Sequence, residues 1–286
     1  MTTSLATLLV ACPDRKGIVA SLAQVLYGHG ANILDSDQHT DQNAGMFFQR
    51  LRFDLSTLTT DRIALEQAIR EVGERLAMDW KLSYSANVRK VALLASKQEH
   101  CLYDLLIRHK AGELACEIAM VISNHADAGS IAQHFGVPFH HVPTTPETRF
   151  DSEARATELL AAAGVDLIVL ARYMQILSPA FVTRWASRII NIHHSFLPAF
   201  VGASPYRQAY EKGVKLIGAT SHYVTADLDQ GPIIEQATMP CSHRDSIDDL
   251  VRKGRDLENR VLASAVRAHL QDRVLVYAGK TVVFED

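Results

Sequence analysis

The chain has 286 residues, of which 48% are hydrophobic and 21% charged. That balance excludes an intrinsically disordered chain and is rich enough for more than one ordinary domain. With 29 basic against 32 acidic residues the formal charge is −3, which argues against nucleic-acid binding driven by a basic surface.

The first segment, LATLLVACPD (residues 5–14), is mostly apolar and suits a buried strand. No basic region precedes it, and Pro13 and Asp14 follow at once, so it reads as a strand and not as a signal peptide. In RKGIVASLAQVLYGHG, Ile18, Val19, Leu22, Val25 and Leu26 recur at helical spacing, with Gly28 and Gly30 as stop signals. ANILDSDQHTD and MFFQRLRFDL read as two strands joined by a hairpin turn over residues 41–45. A helix fits residues 61–77, with Asp61 as N-cap, and a strand fits residues 79–85. The order β-α-β-β-α-β over residues 1–85 predicts a ferredoxin-like domain.

After a short linker near residues 85–89, a second domain is expected over residues 86–286. It opens with the apolar strand KVALLAS, the amphipathic helix HCLYDLLIRHK and the strand CEIAMVISN. A helix at 126–135, a short strand FHHVP, a helix at 153–163 and the strand DLIVLA follow. Apolar strands alternating with helices predict a mostly parallel sheet covered on both faces. Beyond RIINIHHS, the strands KLIGATSHYV and GPIIEQATM are too close in sequence for a crossover helix and should pair antiparallel. A long helix fits residues 246–270, and a hairpin closes the chain around Ala278 and Gly279. No apolar run approaches the roughly 18 residues of a membrane span. Cys12, Cys101, Cys116 and Cys241 form no CxxC pair, so neither structural zinc nor a disulfide framework is expected and a reducing cytoplasm is the default.

Asn191 and His193 stand two apart at the end of a predicted strand, so their side chains leave the same face. Strand ends are where parallel α/β sheets hold ligands. An amide there can donate to a developing oxyanion, and an imidazole can move protons near neutral pH. Spacing alone is equally compatible with a pair of hydrogen-bonded strand-end residues. Asp227 and Asp229 lie in a tight loop between two strands, where a carboxylate could orient His193 and hold a water. On residue type alone, Asp227, Asp229 and Gly231 read as turn formers. Ser195 and Thr220 read as scaffold hydrogen-bonders, His140 and His141 as structural, and Gly202 and Gly231 as loop glycines.

The segments 191–202 and 222–236 resemble the folate-dependent formyltransferase family, whose patterns are N-x-H-x-S-x-L-P-x-F-x-G and H-x-V-x-x-x-x-D-x-G-P-I-I-x-Q. The resemblance covers roughly residues 90–270 and implies a Rossmann-like catalytic domain. It implies catalytic roles for Asn191, His193 and Asp229, and a pterin pocket lined by Tyr173, Met174, Gln175, Ile176 and Leu177. Where members that formylate a ribonucleotide carry a glycine-rich phosphate loop, this chain reads Ala95-Ser-Lys-Gln-Glu-His-Cys101 without glycine. Glu99 would repel a phosphate, and Gln175 stands where those members have arginine. The simplest acceptor that needs no anchor is water.

The stretches SKQEHCLYDLL, LARYMQILSP, NIHHSFLPAF and DLDQGPIIEQ also resemble the formyltetrahydrofolate deformylase family, and CPDRKGIVA and GHGANIL resemble its N-terminal ACT domain. That resemblance implies hydrolysis of 10-formyltetrahydrofolate to formate and tetrahydrofolate, which supplies formate for purine synthesis and balances one-carbon pools. Transfer to an unidentified amine is the alternative, and a sensor that only binds folate a further one. His194, as a residue constraining water, and His222 join the substrate-binding set; for His194 a capping or packing role is equally open. Lys97 and His100 either touch the folate tail or shape the water site, or else open a solvated helix behind an N-terminal cap. No cofactor beyond the folate substrate and no metal ligation are expected. The ACT resemblance implies an amino-acid effector, glycine or methionine, contacted by Asp14 and Asn32, and a homo-oligomer, dimer or tetramer. Loop and capping chemistry is the competing account of Asp14 and Asn32.

Overall fold

The computed structural model describes residues 4–198 and 205–285. Gly202, expected as a loop glycine, lies outside the described residues. The chain divides into two compact units: the residues up to Val88 with Asp272–Leu275 and those from Val282 on, and Arg89–Gln271 with Val276–Thr281. The tail beyond Gln271 is thus shared between the units, where the sequence suggested a single division at residues 85/86.

The first unit runs β1 (Leu5–Pro13), α1 (Ile18–Gly28), β2 (Asn32–Asp41), β3 (Met46–Asp54), α2 (Arg62–Leu76) and β4 (Asp79–Tyr84). Its sheet has the order β2-β3-β1-β4, antiparallel throughout. Leu8 and Val10 on β1 and Phe53 on β3 bury one sheet face with Ile18, Leu22 and Leu26 of α1 and Leu65 and Ile69 of α2. The Asp61 side chain accepts a hydrogen bond from the Ala64 N–H and caps α2, as its position predicts. Gly30 (φ +77°) ends the α1 turn where a Cβ would stand 2.6 Å from the Thr57 carbonyl oxygen.

The second unit contains β5 (Arg89–Ala95), α3 (His100–Lys110), β6 (Cys116–Ser123), α4 (Ala128–His134), β7 (Phe139–His141), α5 (Arg149–Ala162), β8 (Leu167–Ala171), α6 (Pro179–Arg184) and β9 (Ile189–His193). It continues through α7 (Pro205–Lys212), β10 (Leu216–Tyr223), β11 (Ile233–Pro240) and α8 (Ile247–Leu270). The seven strands are ordered β11-β10-β9-β8-β5-β6-β7. β9-β8-β5-β6-β7 are parallel, and β10 and β11 run antiparallel at one edge. The short β10–β11 connection forces that antiparallel pairing, as expected. Strand order reverses on either side of β5, so a crevice opens at the carboxyl ends of β5, β8 and β9. α8 starts in a capping box in which Ser246 and Asp249 exchange hydrogen bonds.

Two helices, α6 and α7, go beyond the sequence reading, although Ser178 with Pro179 behind it is a cap followed by an N1 proline. α5 begins at Arg149, a turn earlier than expected, behind a Thr148 that makes no side-chain cap. β12 (Val274–Tyr277) and β13 (Lys280–Val283) form the closing hairpin, with positive φ at Ala278 and Gly279 as a two-residue turn requires.

Candidate active site

β9 and β10 bring the first three groups together by register alone. Asn191 and His193 leave β9 on one face, and the antiparallel pairing sets His222 directly opposite Asn191. His222 Nδ1 lies 2.9 Å from the Tyr223 carbonyl oxygen, which can only accept, so Nδ1 carries a proton. Asn191 Nδ2 lies 3.3 Å from His222 Nε2 and donates one of its two hydrogens there.

Asp229 arrives from the β10–β11 loop with φ +57°. A bulge between Ser221 and His222 bends β10 just before that loop. At Gly231 a Cβ would fall 1.6 Å from the Tyr223 carbonyl oxygen, so only glycine lets the loop return against β10 at this height. The result places Asp229 Oδ2 3.1 Å from His193 Nδ1 and Oδ1 3.6 Å from His222 Nε2. The hydrogen bond from His193, above all, holds the Asp229 carboxyl far below the usual carboxylate range, against the opposing effect of burial. Asp229 is therefore an anion that fixes the Nδ1–H tautomer of His193. His193 Nε2 is buried without a hydrogen-bond partner among the described residues, and such atoms are few in native proteins.

These side chains line one cavity of about 610 Å³ together with Tyr173, Met174, Gln175, Ile176, Leu177 and His194. All ten residues expected at the catalytic and folate sites thus share it. The 173–177 segment is anchored by Ser96, whose hydroxyl donates to Asn124 Oδ1 at 2.7 Å and accepts from the Met174 N–H at 3.0 Å. Met174 and Ile176 are more than half exposed, so this apolar wall faces the cavity mouth. The His194 ring stacks on His193 with centroids 5.1 Å apart. Burial first, then the positive charge of Arg172, push the His194 pKa down to about 4.

The cavity also has a polar wall that the sequence reading missed, formed by Gln98, Arg172, Tyr206 and Glu258. Glu258 on α8 is 1% exposed and accepts from Tyr206 Oη at 2.7 Å and His100 Nε2 at 2.8 Å, with Arg172 Nε 3.4 Å away. Burial raises its pKa, but His100, Arg172 and Tyr206 together hold it below the ordinary value. His100 is thereby hydrogen-bonded to a buried carboxylate and not a solvated helix start. His100, Cys101 and Glu258 bring three potential metal-ligating atoms within 4.8 Å of one another, yet Arg172 already sits on that carboxylate.

Other expected residues lie elsewhere. Lys97 is exposed and outside the cavity lining, and His140 and His141 belong to β7 at the opposite edge of the sheet from β10 and β11. Asp227 forms the turn with its backbone, its carbonyl accepting from Gln230 N and Thr225 Oγ1. Thr220 Oγ1 binds Ser195 O and Leu197 N as scaffold. Asp14 and Asn32 are exposed in the first unit.

The mostly parallel sheet that ends in an amide, an imidazole and a carboxylate around one cavity lies within residues 89–266, which the Formyl transferase family matches. The ACT domain family matches residues 6–76. The chain is 53% identical over 279 residues to the formyltetrahydrofolate deformylase of Synechocystis sp., covering 98% of each. It is 50% identical to that of Bacillus subtilis, covering 97% of this chain and 93% of the relative. The crystal structure of a formyltetrahydrofolate deformylase from Pseudomonas syringae is similar across 100% of this chain and 96% of its own, with TM-score 0.96 and 48% identity. The chain belongs to the formyltetrahydrofolate deformylase family. Among the described residues, no helix is long and apolar enough to cross a membrane.

Proposed function

We propose that this protein hydrolyses 10-formyltetrahydrofolate to formate and tetrahydrofolate. The observation that carries the reading is the His193–Asp229 pair, whose Nε2 is buried without a partner among the described residues, in a residue that lines one cavity with Asn191. The N10-formyl group is an amide on an aniline-like nitrogen. Water adds to the formyl carbon while His193 Nε2 takes its proton, and Asn191 donates its second N–H to the oxyanion. The C–N10 bond then breaks as His193 returns the proton to N10, and Asp229 keeps the imidazole oriented through both transfers. The product is released as formic acid, whose remaining proton passes to solvent to leave formate.

Tyr173 through Leu177 support the pterin, with His222 holding Asn191 and His194 bounding the water. The folate is substrate, and no further cofactor is invoked. Residues 1–85 serve as the regulatory ACT domain and residues 86–286 as the catalytic domain. Glycine or methionine is the effector, read through Asp14 and Asn32, in a cytoplasmic homo-oligomer that supplies formate for purine synthesis. The test is to incubate purified protein with 10-formyltetrahydrofolate and no added amine, and to quantify both products. Equal formate and tetrahydrofolate support hydrolysis. No formate without an amine contradicts it and favours transfer.

A further inference from the structure

Three local compromises converge on the polar wall of the cavity. Arg172, at the end of β8, takes φ +60°, a left-handed conformation that favours glycine, yet carries a long cationic side chain that is 6% exposed. Gly254 sits inside α8, where glycine is unfavourable, and a Cβ there would stand 2.0 Å from Tyr206 Oη. Glu258, one helical turn further on, is a buried carboxylate. The three meet in one network: Arg172 Nε donates to Gln98 Oε1 at 3.0 Å and faces Glu258, and Glu258 holds Tyr206. The Tyr206 ring lies 6.4 Å from the His194 ring, which is stacked on His193. The wall therefore reaches His193 through the His194 ring.

We propose that Arg172, held by Glu258 and Gln98, is the specificity-determining residue that closes the space beside His193 to any acceptor larger than water. The inference rests on the hydrolytic reading and deepens it. An amine nucleophile needs room for its carbon substituent next to the formyl carbon, and His194, Tyr206 and Arg172 line the cavity that His193 also lines. The wall's own cation is neutralised by an internal carboxylate, so it offers no unpaired charge to an ionic acceptor.

Arg172→Gly tests this with little backbone penalty, because the left-handed φ suits glycine. The enzyme is given 10-formyltetrahydrofolate with glycinamide as a weakly basic primary amine, and formate and N-formylglycinamide are measured by mass spectrometry against a blank without enzyme. In the variant the amine nitrogen bonds to the formyl carbon, the C–N10 bond breaks, and N10 takes the proton the amine gives up. The wild-type protein is expected to yield formate alone. The variant is expected to yield N-formylglycinamide above the blank, with formate turnover lowered by about 10²-fold through loss of positioning and folate KM little changed. Absence of N-formylglycinamide from a folded variant overturns the inference, whatever its formate rate. If Arg172→Gly does not fold by circular dichroism, Arg172→Asn, which also tolerates the left-handed region, is judged by the same criterion. Failure of the wild-type protein to release formate would instead refute the hydrolytic reading.

Discussion

Two buried ionic groups face the same cavity and are built in opposite ways. At the β9 end, His193 and Asp229 form a pair at 3.1 Å whose outer nitrogen is left without a partner. In the polar wall of the same cavity, the Glu258 carboxylate faces three donor side chains, His100, Tyr206 and Arg172. A buried polar atom left open carries an energetic penalty that substrate or water can relieve, so the first group is poised to react. A carboxylate with its donors in place is fixed, so the second group shapes the site without taking part in proton transfer. Reactivity and shape are thus held by separate residues within one cavity.

The largest effects should come from the open group. Asn191→Ala and Asp229→Ala are expected to lower turnover by about 10²–10³-fold or more while folate still binds, measured as kcat against equilibrium binding. Near-wild-type turnover in either would erase the contrast drawn above. Next comes Gly231→Ala: the added Cβ cannot stand 1.6 Å from the Tyr223 oxygen, so the loop carrying Asp229 must shift. Turnover should fall by about 10²-fold, as displacement of a catalytic group by an ångström commonly does. An unchanged rate would mean that Asp229 does not need this position.

A smaller effect sharpens the electrostatic side. His194 titrates near 4 when folded and near the ordinary histidine value when unfolded. Between those values the unfolded chain binds the extra proton, so this contribution to stability is complete above the unfolded value and is lost as pH falls toward 4. Urea midpoints at pH 7 and pH 5 should show a loss that His194→Gln reduces by on the order of 1 kcal/mol. The smallest effect lies outside the cavity. Asp61→Ala removes the α2 cap and should destabilise the protein by about 1 kcal/mol with kcat unchanged, by urea denaturation and steady-state assay.

The contrast also explains what the sequence could reveal. The shared face of Asn191 and His193 was legible because strand geometry puts residues two apart on one side, though their role came from the family resemblance, and the Asp61 cap and the α8 start followed from local chemistry. Asp229 was legible only through the family resemblance, since Asp and Gly in a tight loop read equally well as turn formers. Arg172, Tyr206 and Glu258 lie far apart in the chain, and nothing local marks them. Glu258 looks like an ordinary helix charge until Gly254 lets Tyr206 approach α8 and bury it. The partner of His100 was hidden for the same reason, because it is 158 residues away. The short helices α6 and α7 have too few turns to show a periodic apolar face.

Single-turnover reaction in heavy-oxygen water tests the central claim most directly. Water as the acceptor at His193 predicts one formate carrying one solvent oxygen for each tetrahydrofolate formed, with Asn191→Ala slowing both products equally. Tetrahydrofolate appearing without matching labelled formate would contradict it.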